Sequence, residues 1–291
     1  MKKMLALLLA LVMLLSLSAA AMADNAPAAG EDENPRTLSW ITAWRAIRAE
    51  ELTGDFYKIG DLDLDLWVPD LLTEQEDIPA DCYRLFADST GNATVRVHRI
   101  SMEGHDTLEE FEQFVVSQGC VSDGLYWING FTALIYENPG ADSLSVDIGI
   151  TDGTAVEFTF TAVSNEDMYS LSSLILSTIQ PHDLDVADVA LMMDADLNNI
   201  WGESKHVTYA KDGSSITVNQ WDEGINADTI QNIKNWETVK KDKLALSDIY
   251  ESVLQNFNMD EVDLTIQYTD EQEERSFLTI ENGEITYDVF A

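Results

Sequence analysis

Basic residues are scarce in this chain. Lys and Arg together number 16 against 53 Asp and Glu, which gives a formal net charge of −37. Nucleic acid binding requires clustered Lys and Arg that neutralise phosphates, and an anionic membrane surface attracts the same residues. We therefore expect neither partner. Cations and proteins with basic patches suit such a surface, although a high charge also serves solubility alone.

Cysteine and histidine are rare as well. The two cysteines are Cys82 and Cys120, and the four histidines are scattered without the spacing of a zinc site. In an oxidising compartment an even count permits one disulfide. The alternative is two separate buried thiols. We expect no metal and no cofactor.

Motifs of catalysis are missing from the sequence. No Gly-X-Ser-X-Gly elbow and no phosphate-binding glycine loop occur, and Cys120 follows Gly119 without an accompanying His motif. Pairs of carboxylates are no evidence for glycoside hydrolysis here, because any acidic chain offers many such pairs. The sequence therefore assigns no catalytic residue, and we expect a protein that is not an enzyme.

The chain has one long apolar run, at its beginning. Lys2 and Lys3 precede the apolar stretch 4–20, and Ala21-Met22-Ala23 supplies small residues for cleavage. This order predicts a signal peptide over residues 1–23. An uncleaved anchor is the alternative, but about 17 residues is near the lower limit for crossing a bilayer. We expect a secreted, extracellular protein with no transmembrane segment after cleavage, most simply a bacterial one.

The rest of the chain predicts an α+β protein of two modules, each a mostly antiparallel sheet with flanking helices. Residues 24–36 are small, polar and Pro-containing, as in a flexible linker. The first module spans 37–182 and the second 183–291. Periodicity predicts helices near 37–52, 107–117, 168–179, 186–200, 226–240 and 246–257. Asn-Gly or Asp-Gly pairs predict hairpin turns at 129–130, 152–153, 212–213 and 282–283.

Alternating Asp and Leu at residues 61–66 predict a strand that carries three carboxylates on one face. Two basic residues alternate in the same way on another predicted strand. If these strands pair, opposite charges form a surface ladder that stabilises the sheet by a few tenths to about 1 kcal/mol per pair. The ladder would consist of Asp61, Asp63, Asp65, Arg96 and His98.

A weak divalent-cation site is the alternative for the same three aspartates. A calcium loop of the EF-hand type needs Gly at its sixth position and Glu at its twelfth. Leu66 and Leu72 occupy those positions. The calcium-loop pattern therefore fails, and sheet alternation is the better interpretation.

Aromatic residues offer one candidate contact surface. Tyr126 and Trp127 lie beside the predicted turn at Asn129-Gly130. Exposed rings of this kind stack on the apolar faces of sugars while their polar edges stay wet. Core packing is the alternative for these and for the other tryptophans.

The order of elements over residues 55–180 carries a resemblance. The segment Tyr-Trp-Ile-Asn-Gly-Phe-Thr-Ala at 126–133 places an Asn-Gly-X-X-Ala step between two strands. With the strand ending at Pro69 and the helix ending at Ile179, it resembles the fold shared by PsbP and the Mog-type Ran-binding proteins. The resemblance implies a binding or adaptor module rather than an enzyme.

The second module is similar to C-terminal modules of uncharacterised secreted Clostridia-type proteins. The segments 215–224 and 277–289, with a Glu-Asn-Gly-Glu turn, carry this likeness. It implies no activity and brings no site with it.

These observations favour a secreted, non-enzymatic, acidic protein that binds a macromolecular partner, either an unknown protein or a cell-envelope component. Two alternatives of other classes stay open. One is an extracellular hydrolase or inhibitor-like accessory without a motif-coded site. The other is a carbohydrate-binding protein.

Overall fold

The computed structural model describes residues 36–151, 153–201, 204–233 and 235–291, and of residues 199–201 and 232 it describes the backbone alone. The predicted signal peptide lies outside the described residues, as do nearly all of the predicted linker and Asp152 of one hairpin turn. The chain divides into two compact units, one up to His182 and the other from Asp183. The predicted α+β class is confirmed.

The first unit contains ten strands and three helices among the described residues. Its strands are β1 (Arg36–Leu38), β2 (Gly54–Lys58), β3 (Asp65–Pro69), β4 (Thr73–Glu74), β5 (Cys82–Ala87), β6 (Thr94–Ser101), β7 (Val121–Ile128), β8 (Phe131–Asn138), β9 (Ser143–Thr151) and β10 (Thr154–Thr161). Its helices are α1 (Trp40–Ala49), α2 (Leu108–Ser117) and α3 (Glu166–Leu176).

Eight of these strands form one sheet in the order β1-β7-β8-β9-β10-β6-β5-β4. β1 runs parallel to β7, and the other neighbours are antiparallel. The strands β2 and β3 pair with each other instead. Because successive side chains of a strand point to opposite faces, the sheet presents two faces with different partners.

One face of the large sheet packs on α1 and α3 and forms the main core. Strand residues such as Val97, Val146 and Phe158 are fully buried there. The other face is covered in part by α2, whose Phe111 and Val115 pack on the sheet. The uncovered part of this second face holds polar and charged side chains, and it is the place where a site can form.

The helix α2 begins where the sequence predicts. Thr107 is its N-cap, and the Thr107 side chain accepts a hydrogen bond from the Glu110 backbone N–H at 3.3 Å. The Glu110 carboxylate in turn accepts from the backbone N–H of Asp106. These bonds satisfy amide groups that a helix start leaves unpaired, and they fix α2 over the sheet.

The second unit is a five-stranded sheet with two helices in its described part. The elements are α4 (Val186–Trp201), β11 (Lys205–Tyr209), β12 (Ser215–Gln220), α5 (Trp236–Asn256), β13 (Asp263–Thr269), β14 (Ser276–Glu281) and β15 (Glu284–Asp288), with a short 3-10 helix at Ile230–Asn232. The strand order is β11-β12-β13-β14-β15, and only β12 and β13 are parallel. The two predicted helices at 226–240 and 246–257 are wrong, because one helix, α5, spans most of that range.

Within the described residues, no helix combines the length and the apolar character that crossing a membrane would require.

Candidate functional site

A concave pocket of about 880 Å³ lies on the second face of the large sheet, beside α2. We call it the sheet-face pocket. Its floor combines charged, aromatic and hydroxyl side chains from four strands, namely Arg96, His98, Tyr136, Ser145, Glu157 and Thr159. Strand pairing explains why they meet, because cross-strand neighbours on one face stand side by side.

One cross-strand row runs over β5, β6, β10 and β9, and its two central members, His98 and Glu157, belong to the floor. Cys82 is paired with His98, His98 with Glu157, and Glu157 with Asp147. The His98 Nε2 atom lies 3.3 Å from Glu157 Oε1. Four groups that can carry or exchange protons are thus aligned on adjacent strands.

Glu157 is the most contacted carboxylate of the floor. Its Oε2 accepts a hydrogen bond from the Tyr136 hydroxyl at 2.6 Å, and its Oε1 accepts from the Thr159 hydroxyl at 2.7 Å. Burial, followed by the nearby charges of Asp147 and Glu157, raises the pKa of Tyr136 far above its ordinary value. The phenol therefore keeps its proton and holds the carboxylate in place.

Asp147 is the last member of this row and is fully buried. Among the described residues, neither oxygen of its carboxyl group has a hydrogen-bond partner. Burial, and then the charge of Glu157, raises the pKa of Asp147 well above its ordinary value. Such surroundings favour the protonated, neutral form of a carboxyl group, because an isolated buried charge costs far more.

His98 is buried to about nine tenths. Burial lowers the pKa of the imidazole, and the positive charge of Arg96 acts in the same direction against the attraction of Glu157. The ring is therefore neutral near pH 7. Since its Nε2 faces a carboxylate, the proton sits on Nε2 and leaves Nδ1 as a bare acceptor. That Nδ1 is buried and has no partner among the described residues.

Arg96 joins the floor to the pocket rim. Its Nε donates to Cys82 Sγ at 2.9 Å, and its Nη2 donates to Asp81 Oδ2 at 2.9 Å. A second, smaller pocket of about 490 Å³ begins at this point, and Cys82, Asp81 and Arg99 line it. Two arginines and a histidine on one strand, β6, are notable in a chain with so few basic residues.

The predicted charge ladder is wrong, because its strands do not pair. Asp61 and Asp63 lie in a turn that begins at Gly60, and only Asp65 belongs to a strand. That strand pairs with β2 in a separate sheet. Asp65 and Asp63 contact His182 instead, at 2.9 Å from its Nδ1 and 3.0 Å from its backbone nitrogen.

The disulfide that the even cysteine count permits does not form in this structure, where Cys82 and Cys120 are free thiols as in the alternative. Cys82 begins β5, while Cys120 immediately precedes β7, and four strands lie between β5 and β7. Burial, followed by the charges of Glu157 and Asp147, raises the pKa of Cys120. The sequence offered no signal for this separation, because it depends on the strand order.

The predicted exposed aromatic pair is also wrong for Tyr126, which is only 2% exposed. Its hydroxyl donates to Asp123 Oδ2 at 2.6 Å and accepts from Arg36 Nη1 at 2.9 Å. Trp127 is half-buried on the same strand. The parallel strand β1 covers this edge of the sheet. Because β1 is three residues long and has no distinctive sequence pattern, the sequence did not predict it.

Among the described residues, no group of three or more His, Cys, Asp or Glu side chains is arranged to hold a metal ion. Asp61, Asp63 and Asp65 do not converge into such a group. Sequence reasoning missed the row that crosses the sheet-face pocket because its members lie up to 75 positions apart, from Cys82 to Glu157.

No family model matches this sequence, and no curated protein matches it significantly. Solved structures do resemble it. The Ran-binding protein Mog1p of Saccharomyces cerevisiae is 11% identical, with 45% of this chain and 97% of that chain covered at a TM-score of 0.33. The cyanobacterial PsbP protein CyanoP of Synechocystis is 17% identical over 45% of this chain and 93% of that chain, with a TM-score of 0.31.

A protein of Bacteroides thetaiotaomicron is a third neighbour, 10% identical over 80% of this chain and 84% of that chain at a TM-score of 0.30. The first two neighbours are of the Mog and PsbP types that the sequence of the first module resembles. The likeness claimed for the second module stays a prediction. Similarities with TM-scores this low say nothing about activity, and none is carried over.

Proposed function

We propose that this is a secreted, non-enzymatic protein that binds a macromolecular or cell-envelope partner, with the sheet-face pocket as its binding site. The observation that supports the proposal is the pocket itself, about 880 Å³ in volume with a charged and hydroxyl-lined floor. Binding sites are concave and carry a few placed polar groups. The rigid sheet beneath holds these groups in position before any partner arrives.

The state of Glu157 favours binding over hydrolysis. A general base needs free access to the proton that it removes. Both oxygens of Glu157 already accept hydrogen bonds, from Tyr136 and Thr159. We therefore assign Glu157 to the shape and polarity of the floor rather than to proton transfer with a substrate.

The test narrows the mouth of the pocket without touching its floor. Gln118 is exposed at the end of α2 and lines the pocket. We expect Gln118→Trp to reduce co-sedimentation of the mature protein with a cell-envelope fraction of its source bacterium by at least about tenfold, a loss of about 1.4 kcal/mol. Gln255→Trp, an exposed position on α5, is the matched control and should bind like the wild type.

Equal binding by the wild type and both variants would refute the assignment of this pocket. Failure of the wild type to bind the fraction any better than a charge-matched acidic protein would refute the proposed function as a whole.

One observation favours carbohydrate as the partner's chemistry. Phe111 and Phe114 line the pocket, and the Phe114 ring lies 5.7 Å from Phe111 and 5.5 Å from His105. Rings beside hydroxyl groups are the combination that sugars select, since one sugar face is apolar and its edges are polar. Competition by solubilised cell-wall glycans, and none by a peptide digest of the same fraction, would support this candidate.

A further inference from the structure

Cys82 and the buried imidazole beside it combine into a feature whose chemistry goes beyond the proposed binding function. The two residues face each other on β5 and β6. Cross-strand neighbours on one face have Cβ atoms about 4.5–5.5 Å apart, so the thiol and the ring stand side by side on this face. A strand irregularity between Cys82 and Arg84 leaves this end of β5 partly accessible.

The unpartnered nitrogen of His98 is the second, independent observation. Nε2 faces Glu157 on β10, and the two nitrogens of an imidazole point away from each other across the ring. Nδ1 is therefore turned away from β10, and β5, which carries Cys82, is the strand on the other side of β6. A buried acceptor without a partner destabilises the fold. The unpartnered Nδ1 is explained if it accepts the proton of the Cys82 thiol.

The charge around the sulfur supports the same conclusion. The Arg96 guanidinium donates directly to Cys82 Sγ at 2.9 Å, so a positively charged donor contacts the sulfur that would attack. The smaller pocket of about 490 Å³ opens at Cys82 and is lined by Arg99, which is exposed. An incoming molecule with a negative group would find a counter-charge there.

We propose that Cys82 is a nucleophilic thiol that undergoes exchange with small, carboxylate-bearing disulfides, with His98 as the proton acceptor. In this step the Cys82 S–H proton passes to His98 Nδ1, and Cys82 sulfur attacks one sulfur of the incoming disulfide. The old S–S bond breaks as the new one forms. The leaving thiolate takes the proton and departs as a free thiol, so electrons and atoms balance.

The other cysteine of the chain provides the internal control. Cys120 is also partly buried, but burial and the carboxyl groups of Glu157 and Asp147 raise its pKa. No guanidinium bond to Cys120 comparable to that of Arg96 with Cys82 is present among the described residues. The two single variants Cys120→Ser and Cys82→Ser thus isolate one thiol each in an otherwise unchanged protein.

The experiment measures the release of the coloured thiol from 5,5′-dithiobis(2-nitrobenzoate) at pH 7 by each folded variant. We expect Cys82 in the Cys120→Ser protein to react at least about tenfold faster than Cys120 in the Cys82→Ser protein. A neutral disulfide, 2,2′-dithiodipyridine, tests the anionic preference. Arg99→Gln should slow the first reagent several-fold and leave the second unchanged.

His98→Asn tests the imidazole and should abolish the tenfold advantage of Cys82. Should that variant fail to fold, the ratio of the Cys82 rate to the Cys120 rate still decides, because the advantage of Cys82 should shrink as the pH falls and the His98 imidazole becomes protonated. Equal rates for the two cysteines, or a Cys82 that reacts only after unfolding in urea, would overturn the proposal. Both outcomes are independent of whether the larger pocket binds a partner.

Discussion

Asp147 is the residue whose burial is hardest to reconcile with its chemistry. It is fully enclosed, and folding raises its pKa well above the ordinary value near 3.8. Between those two pKa values the unfolded chain has released a proton that the folded chain keeps. Stability contributed by this group is therefore full at low pH and falls as the pH rises through that window.

We predict that Asp147→Asn removes this pH dependence. The wild type should lose up to about 1.4 kcal/mol of its free energy of unfolding per pH unit from this group as the pH rises above 4. The neutral amide has no proton to release, so the variant should be more stable than the wild type at pH 7 and closer to it at pH 4. Urea unfolding at several pH values measures both curves.

Asp228→Asn is the control, because Asp228 is exposed. Parallel curves for the wild type and Asp147→Asn would show that Asp147 ionises freely in the folded protein, contrary to its burial.

Lys243 presents the opposite case in the second unit. It is only 5% exposed, and its Nζ donates to Gln220 Oε1 at 2.7 Å and lies 5.5 Å from the centre of the Tyr268 ring. Burial lowers its pKa from 10.5 to about 8, against the attraction of Asp222 and Asp242. Between those values the unfolded chain binds the proton that the folded chain has lost, so stability rises with pH.

We predict that unfolding of the second unit becomes harder from pH 8 to about 9.5 in the wild type, by about 1 kcal/mol or more. Lys243→Met carries no proton and should lack this rise. Denaturant midpoints at the two pH values, followed by Trp236 fluorescence, provide the measurement. The same rise in both proteins would assign it to another group.

At the level of elements, Asn129 connects three segments of the first unit. Its Oδ1 accepts from the backbone N–H of Trp40 at 2.6 Å, and its Nδ2 donates to the carbonyls of Ser177 and Ile179 at 2.8 Å each. It is 1% exposed and has a positive φ of 45°. The start of α1, the β7–β8 turn and the chain after α3 therefore depend on one amide.

We predict that Asn129→Ala destabilises the first unit by roughly 3 kcal/mol or more, because three buried backbone groups lose their partner at once. Asn129→Gly separates the two causes, since glycine accepts the positive φ but forms none of the bonds. The two variants should melt at similar temperatures. A near-native Asn129→Gly protein would mean that backbone conformation alone explains the residue.

The sequence predicted the secondary-structure elements better than the contacts between them. It placed the Asn129-Gly130 turn and the start of α2 correctly, because turn and cap chemistry are local. It could not show that Asn129 binds residues 89, 48 and 50 positions away. The residues of the sheet-face pocket could not be predicted for the same reason, because the strand order β8-β9-β10-β6-β5 brings them together.

Two wrong predictions have identifiable physical causes. The Asp-Leu alternation at 61–66 imitates a strand, but the Ile59 backbone N–H donates to the Leu64 carbonyl at 2.9 Å and closes a turn there. The sequence predicts two helices in place of α5 because Lys243 occupies a core-facing position between Trp236 and Tyr250. A charged residue at that place breaks the apolar stripe on which helix prediction depends.

The net charge of −37 acts on the whole molecule. Like charges at this density repel one another and oppose the compact state, and salt screens them over about 10 Å at 0.1 M. We predict that the melting temperature rises by a few degrees, roughly 2–6 °C, between 10 mM and 0.3 M sodium chloride. A near-neutral protein of similar size should change less, and a fall in melting temperature would indicate that attractive ion pairs dominate instead.

The most direct measurement of the central claim is hydrogen exchange of the mature chain with and without a saturating cell-envelope fraction. The rim of the sheet-face pocket includes parts of the loop 102–107 and of the segment 118–120, which lie outside the strands and should exchange on a measurable timescale. The account predicts that binding slows exchange in these segments and in α2. Protection confined to residues 183–291, with the rim unchanged, would contradict it.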